Sequence, residues 1–172
     1  MDETEFWEIV DSTREAADGD PEDHADLLVD RLLLLDPDSV LDFARHFSVR
    51  YHRAYAWDVM AAAAVLLGAS DKDSFDYFRC WLIGRGREVF ESALHEADTL
   101  ADLLDDFDDD LDGDAEELGY AADEAYEQLT GAPAPVPAGV DRSGKPSGTP
   151  LDLDDDGALA ERLPRLWERF GG

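Results

Sequence analysis

The sequence predicts an all-α fold, and three observations support this prediction. Two Asp-Pro steps, Asp20-Pro21 and Asp36-Pro37, each place a capping carboxylate before a proline, a residue favoured at the first position of a helix. Apolar residues recur at helical spacing after both steps. Alternation of apolar and polar residues, which indicates a half-buried strand, is nowhere sustained. We therefore expect a single helical bundle with a Pro/Gly-rich linker and a short C-terminal helix that docks back.

Three helices are predicted in the first third of the chain. Asp2 or Thr4 can cap the first helix, which ends near Asp18-Gly19, and the two Asp-Pro steps open the second and third. Their apolar positions are Phe6, Trp7, Ile9 and Val10, then Leu27, Leu28, Leu32 and Leu35, then Val40, Ala44, Phe47, Tyr51 and Tyr55.

The middle of the chain is expected to form the centre of the bundle. Residues 57–67 continue as helix until Gly68, and Ser70 with Asp73 resembles a capping box for the next helix. Residues 75–83 are apolar on nearly all sides, so this helix should lie at the centre of the fold. Gly84 and Gly86 break the chain before a helix over residues 87–96.

The last predicted helices differ in length. Asp98 or Thr99 can start a short helical piece, and residues 114–129 form an amphipathic helix closed by Thr130-Gly131. We divide the chain into a helical domain (1–130), a linker (131–150) that holds five of the eight prolines, and a C-terminal segment (151–172). The C-terminal segment should pack on the bundle, because it carries Leu159, Leu163, Leu166, Trp167 and Phe170.

Composition excludes several classes of protein. The chain has 172 residues, a formal net charge of −29 and 44% apolar residues, too many for general disorder. This charge opposes binding to nucleic acid or to anionic membranes. The longest uncharged apolar run, residues 59–69, is too short to span a bilayer, and the acidic N-terminus lacks the features of a secretory signal. We expect a cytoplasmic protein whose single cysteine, Cys80, is a core residue.

Charge is distributed unevenly along the chain. Residues 45–87 hold 4 acidic and 7 basic residues, whereas residues 88–141 hold 18 acidic residues and neither Lys nor Arg. The middle segment is thus a basic island in an acidic protein. A hydrated acidic surface would also suit a salt-adapted host, so the acidity alone does not define a function.

Several motifs resemble those of a known family. They are residues 74–83 (Ser-Phe-Asp-Tyr-Phe-Arg-Cys-Trp-Leu-Ile), Gly86 and Phe90, the opening Met1-Asp2 and Phe6-Trp7, residues 120–131, and Leu163-Pro164-Arg165-Leu166. Through these motifs, the chain resembles the bacterial family of unknown function numbered 4240 over nearly its whole length. The resemblance implies a single helical domain with a short returning C-terminal segment, and it brings no activity. The dense aspartates of residues 105–114 depart from the family's pattern.

The basic island predicts a binding pocket for a small anion. On a helix starting near residue 38, His46, Arg50, Arg53 and Trp57 would share one stripe. Arg79 needs a carboxylate or a bound anion, and Asp58 and Asp76 are its nearest candidates in sequence. The predicted pocket residues are His46, Arg50, Arg53, Trp57, Arg79 and Trp81, with a tryptophan as the stacking wall. The alternative is that these arginines pair internally with acidic helices.

The acidic segment predicts a face for a basic partner. Its candidate contact residues are Asp105, Asp106, Asp108, Asp109, Asp110 and Asp112. The spacing of Asp108, Asp110, Asp112 and Gly113 matches the first half of an EF-hand loop, as does that of Asp152, Asp154, Asp156 and Gly157. Position twelve is Gly119 in one and Leu163 in the other, where the loop needs a glutamate, so we expect no specific metal site.

Two functional hypotheses follow. The first is a non-catalytic acidic interaction module that binds a basic protein, in the manner of an immunity protein or an inhibitor. The alternative is a binder of a small anionic ligand, or an enzyme acting on one, that uses the Arg/His pocket. No catalytic or cofactor motif is complete, so we expect no cofactor and lean against an enzyme. The oligomeric state stays open.

Overall fold

A computed structural model describes residues 1–137, 140 and 144–172, and it confirms the all-α prediction. The helices are α1 (Glu3–Ala16), α2 (Pro21–Leu32), α3 (Pro37–Arg53), α4 (Trp57–Leu67), α5 (Lys72–Gly84), α6 (Arg87–His95), α7 (Leu100–Leu103), α8 (Glu116–Thr130), α9 (Asp156–Arg162) and α10 (Pro164–Phe170). A 3₁₀ turn (Ala97–Thr99) separates α6 from α7. Within the described residues, extended backbone pairs at one parallel bridge, Ala56 with Ser147.

Aspartates cap the first three helices. The carboxylates of Asp2, Asp20 and Asp36 each accept a hydrogen bond, 2.8 to 3.0 Å long, from the backbone N–H three residues later. Asp2 therefore caps α1, and Thr4 lies inside the helix. The two Asp-Pro steps begin helices as predicted.

The capping box predicted at Ser70 is wrong. Asp71 caps α5, because its carboxylate accepts from both the backbone N–H and the hydroxyl of Ser74 at 3.0 and 2.8 Å. The Ser70 hydroxyl instead donates to Asp154, 2.7 Å away, in the segment before α9.

α5 lies at the centre of the bundle, as predicted. Phe75 and residues 78–84 are buried, and the helix packs on α3, α4, α6 and α8. Its approach to α8 is close, since a Cβ on Gly84 would lie 2.6 Å from the Leu118 side chain. This packing fixes the face that α5 and α8 present together.

The C-terminal helices pack on the rest of the chain. Leu159, Leu163 and Leu166 are buried, each contributing about 1.5–3 kcal/mol, and α10 contacts α4 and the 3₁₀ turn. Asp98, a candidate start for a helix, in fact accepts hydrogen bonds from the backbone N–H groups of Arg165 and Leu166 in α10. No helix in the described part of the chain has the length and apolarity to cross a membrane.

Candidate functional site

A cleft of about 400 Å³ lies where α3, α5 and α8 meet, and we call it the acidic cleft. Its apolar part consists of Phe43 and Phe47 from α3 and of Leu118 and Ala122 from α8. Helical spacing explains this grouping, because residues three and four apart lie on one face of a helix. A cleft of this volume with an apolar floor is within the range that binds ligands.

Four carboxylates line the acidic cleft. Asp73 and Asp76 come from α5, and Glu116 and Asp123 come from α8. Asp76 forms ion pairs with Lys72 and Arg79, whereas the other three carboxylates form no ion pair with any cation in the described residues. None of the described residues that line the cleft is Lys or Arg. Among the described residues, the lining therefore carries more negative than positive charge.

Two tyrosines stand beside these carboxylates. The hydroxyl of Tyr120 donates to Oε1 of Glu116 at 3.0 Å and so orients that carboxylate. The negative charge of Glu116, followed by burial and the charge of Asp73, raises the pKa of Tyr77 above its usual range. Both phenols consequently remain neutral near pH 7 and present aromatic rings and hydroxyls.

Asp123 is an exposed carboxylate at the edge of the cleft. Partial desolvation raises the pKa of this carboxylate. A bound cation would lower that pKa again. Burial likewise raises the pKa of the Cys80 thiol in the cleft to about 12, so this thiol stays protonated at neutral pH.

The structure does not bring the six predicted pocket residues into one cavity. Arg50 is buried between α1 and α3, with Nη2 3.1 Å from Oε1 of Glu3 and its guanidinium over the rings of Phe6 and Trp7. His46 lies beside it, with Nδ1 3.2 Å from Nη1 of Arg50 and Nε2 3.0 Å from the backbone oxygen of Met1.

Arg79 lies elsewhere, at the contact between α3 and α5. Its Nη2 is 2.8 Å from Oδ1 of Asp76, and its Nη1 donates to the backbone oxygen of Tyr51 at 3.0 Å. Asp76 is thus the partner expected from the sequence, while Asp58 pairs with Arg162. Trp81 is a buried core residue.

The helical stripe predicted through Trp57 is wrong. α3 ends at Arg53, and Trp57 is the first residue of α4, because the backbone at residues 55–57 pairs with Ser147. The N–H of Trp57 donates to the oxygen of Ser147 at 2.9 Å. Arg53 is half exposed and lies 3.4 Å from Glu91. Anion binding by the six residues stays a prediction.

The predicted partner face is the exposed loop between α7 and α8, which we call the aspartate loop (residues 105–112). Phe107 anchors it, with its ring packed edge-on against Trp81 at 5.4 Å. The guanidinium of Arg169 donates to backbone oxygens at the start of the loop, including that of Asp105. Its carboxylates meet in one exposed cluster, formed by Asp108, Asp109 and Asp110. Gly119, the twelfth position of the EF-hand spacing, lies in α8 against Cys80.

Reasoning from the sequence missed the acidic cleft. The spacing of Asp73, Asp76 and Tyr77, and of Glu116, Tyr120 and Asp123, places each set on one helix face. The spacing therefore identifies an acidic face on each of α5 and α8, but it does not indicate that these two faces meet.

Comparison with known proteins identifies one family. A family model described as "Protein of unknown function (DUF4240)" matches residues 1–128. This range contains every described residue that lines the acidic cleft except Pro137. No curated protein and no solved structure gives a significant match.

Proposed function

Since the chain belongs to the DUF4240 family, whose function is unknown, we propose its role from its own site: a non-catalytic module that binds a basic segment of a partner protein in the acidic cleft. The observation that carries this proposal is the set of three carboxylates, Asp73, Glu116 and Asp123, that lack an ion pair in the described chain. Positive charge from a partner would compensate them.

The shape of the cleft supports a protein ligand with both apolar and cationic parts. The floor of Phe47 and Leu118 suits the aliphatic portion of a basic side chain, and the rim suits its charged end. The net charge of −29 adds a long-range field that would speed association with a basic partner at low salt.

The aspartate loop extends the same negative surface. It joins the cleft through Asp114 and Glu116, and the N–H of Ala115 lies 3.4 Å from the backbone oxygen of Tyr77 on α5. Because the loop's carboxylates are exposed, we expect them to affect the rate of association and its salt dependence more than the final affinity.

Fluorescence anisotropy with a defined probe tests the proposal. The probe is a fluorescein-labelled dodecapeptide that alternates arginine and serine, and a glutamine–serine peptide is the neutral control. The triple variant Asp73→Asn, Glu116→Gln, Asp123→Asn should bind the basic peptide at least about threefold more weakly, since each of three exposed ion pairs is worth about 0.2–1 kcal/mol.

A second triple variant controls for total charge. Glu22→Gln, Asp26→Asn and Asp30→Asn remove the same charge from the exposed face of α2. This variant should keep most of the affinity. Equal losses in the two variants, or no binding by the unmodified protein at 50 mM salt, would overturn the proposal.

One observation favours the alternative of a small anionic ligand. A second cavity, of about 520 Å³, is lined by Arg79, Lys72 and the rings of Tyr51, Tyr55 and Phe75. Arg79 is buried, and its Nε has no hydrogen-bond acceptor. A thermal-shift series with phosphate and benzoate tests this idea, because a ligand of the folded state raises the melting temperature.

The anion hypothesis ranks second, because this cavity has no net positive charge. Asp71 and Asp76 line it together with Lys72 and Arg79. If neither anion raises the melting temperature of the unmodified protein, the alternative is wrong.

A further inference from the structure

One wall separates the acidic cleft from the cavity that contains Arg79. Tyr51 and Asp76 line both spaces. On the cavity side, the guanidinium carbon of Arg79 lies 3.7 Å from the centroid of the Tyr51 ring, and its Nη2 lies 2.8 Å from Asp76. This wall already binds one arginine through a ring and a carboxylate.

The same carboxylate also binds a lysine, and the two cations are placed differently. Nζ of Lys72 is 2.7 Å from Oδ2 of Asp76, yet the Lys72 side chain is 85% exposed, whereas that of Arg79 is 7% exposed. A planar, weakly hydrated guanidinium stacks on aromatic rings, while an ammonium group keeps its water. In this protein a tyrosine ring beside a carboxylate thus already holds an arginine, while the lysine on the same carboxylate stays in solvent.

The cleft side repeats the combination of tyrosine and carboxylate, and no described Lys or Arg lines it. Tyr77 and Tyr120 stand beside Glu116, whose carboxylate is oriented by the Tyr120 hydroxyl, and Asp73 lies near Tyr77. Neither carboxylate forms an ion pair within the described residues. These four side chains, which we call the tyrosine end of the cleft, offer aromatic faces and fixed acceptors together.

We propose that the tyrosine end of the cleft receives an arginine side chain of the basic partner and selects it over lysine. This inference rests on the proposed function. The aliphatic stem of the arginine would lie on Phe47 and Leu118, and its guanidinium would stack on the Tyr120 ring while donating to Glu116 or Asp73.

Two peptides of equal charge test the selectivity. The arginine–serine dodecapeptide is compared with a lysine–serine dodecapeptide by anisotropy, with the full-length protein. The unmodified protein should bind the arginine peptide about fivefold more tightly, as a cation–π contact worth about 1 kcal/mol at an exposed ring predicts. Tyr120→Leu should reduce this ratio to near one, because it removes a ring and frees Glu116.

Tyr126→Leu is the matched control. Tyr126 lies on the same helix, packs on the core and does not line the acidic cleft, so this variant should keep the fivefold ratio. Equal affinities of the unmodified protein for the two peptides would overturn arginine selectivity and leave the proposed function intact. An arginine preference that persists in Tyr120→Leu would also overturn it. If neither peptide binds, the proposed function itself fails.

Discussion

The buried carboxylate of Asp98 should determine whether the C-terminal helices stay attached. Its side chain is 10% exposed, and its two oxygens accept from the N–H groups of Arg165 and Leu166 at 3.2 and 2.8 Å. α10 has no capping side chain of its own, since Leu163 precedes its first residue. Asp98 supplies that function from a distant part of the chain.

Asp98→Ala should lower the free energy of unfolding by about 2–4 kcal/mol. The loss of a helix cap costs about 1 kcal/mol, and a buried donor left without an acceptor adds about 1–3 kcal/mol. With a urea m value of about 2 kcal/mol/M, the midpoint should fall by about 1–2 M. Asp98→Asn keeps one acceptor oxygen, so its urea midpoint should lie between those of the unmodified protein and Asp98→Ala.

Urea denaturation followed by tryptophan fluorescence measures this effect, and Trp167 in α10 is a local reporter. Asp102→Ala is the control, because Asp102 is 65% exposed and contacts the same residue, Arg165, at 2.7 Å. An exposed pair is worth about 0–1 kcal/mol. If the midpoints of Asp98→Ala and Asp102→Ala coincide, the capping argument is refuted.

Three further predictions concern buried groups. Burial, with the charges of Arg85 and Arg14, lowers the pKa of His24 to about 4, so the folded state binds fewer protons than the unfolded state below pH 6.5. The free energy of unfolding should therefore fall by about 3 kcal/mol as pH drops from about 6.5 to 4. Urea denaturation of His24→Gln over the same pH range should not show this loss. If the free energies of the two proteins fall in parallel, the prediction is wrong. Gly86→Ala should destabilise by about 1–3 kcal/mol in thermal melts, because φ is +98° and the new Cβ would lie 2.1 Å from Asp11, whereas Gly144→Ala should have little effect. The Cys80 thiol should not react with a disulfide reagent at pH 8 until the protein unfolds, and fast labelling of the native protein would show that it is accessible.

The sequence predicted most helices because their signals are local. Capping carboxylates such as Asp20 and Asp36 act within three residues, and the apolar run at the C-terminal end of α5 favours a central position. Predictions failed where a distant segment supplied the partner. The backbone of Ser147 pairs with residues next to Ala56 and so separates α3 from α4. The carboxylate of Asp98 accepts hydrogen bonds from the start of α10 and does not cap a helix in its own segment.

The candidate site could be predicted only in part, for the same reason. Helical spacing identifies the faces that carry Asp73 and Tyr77 on α5 and Glu116 and Tyr120 on α8. That these faces meet depends on the close packing of α5 and α8, and the sequence shows this packing only as small residues such as Gly84.

The charge of a segment does not predict the charge of the surface that it forms. Residues 45–87 have a net positive charge, yet Arg50, Arg79 and Lys72 pair with carboxylates, two of them beneath the surface. Burying a guanidinium requires such a partner, so Arg50 and Arg79 are compensated inside the bundle. Asp73, which belongs to the same island, is left on the exposed side of α5, next to the acidic face of α8. The basic island thereby contributes one wall of an acidic cleft.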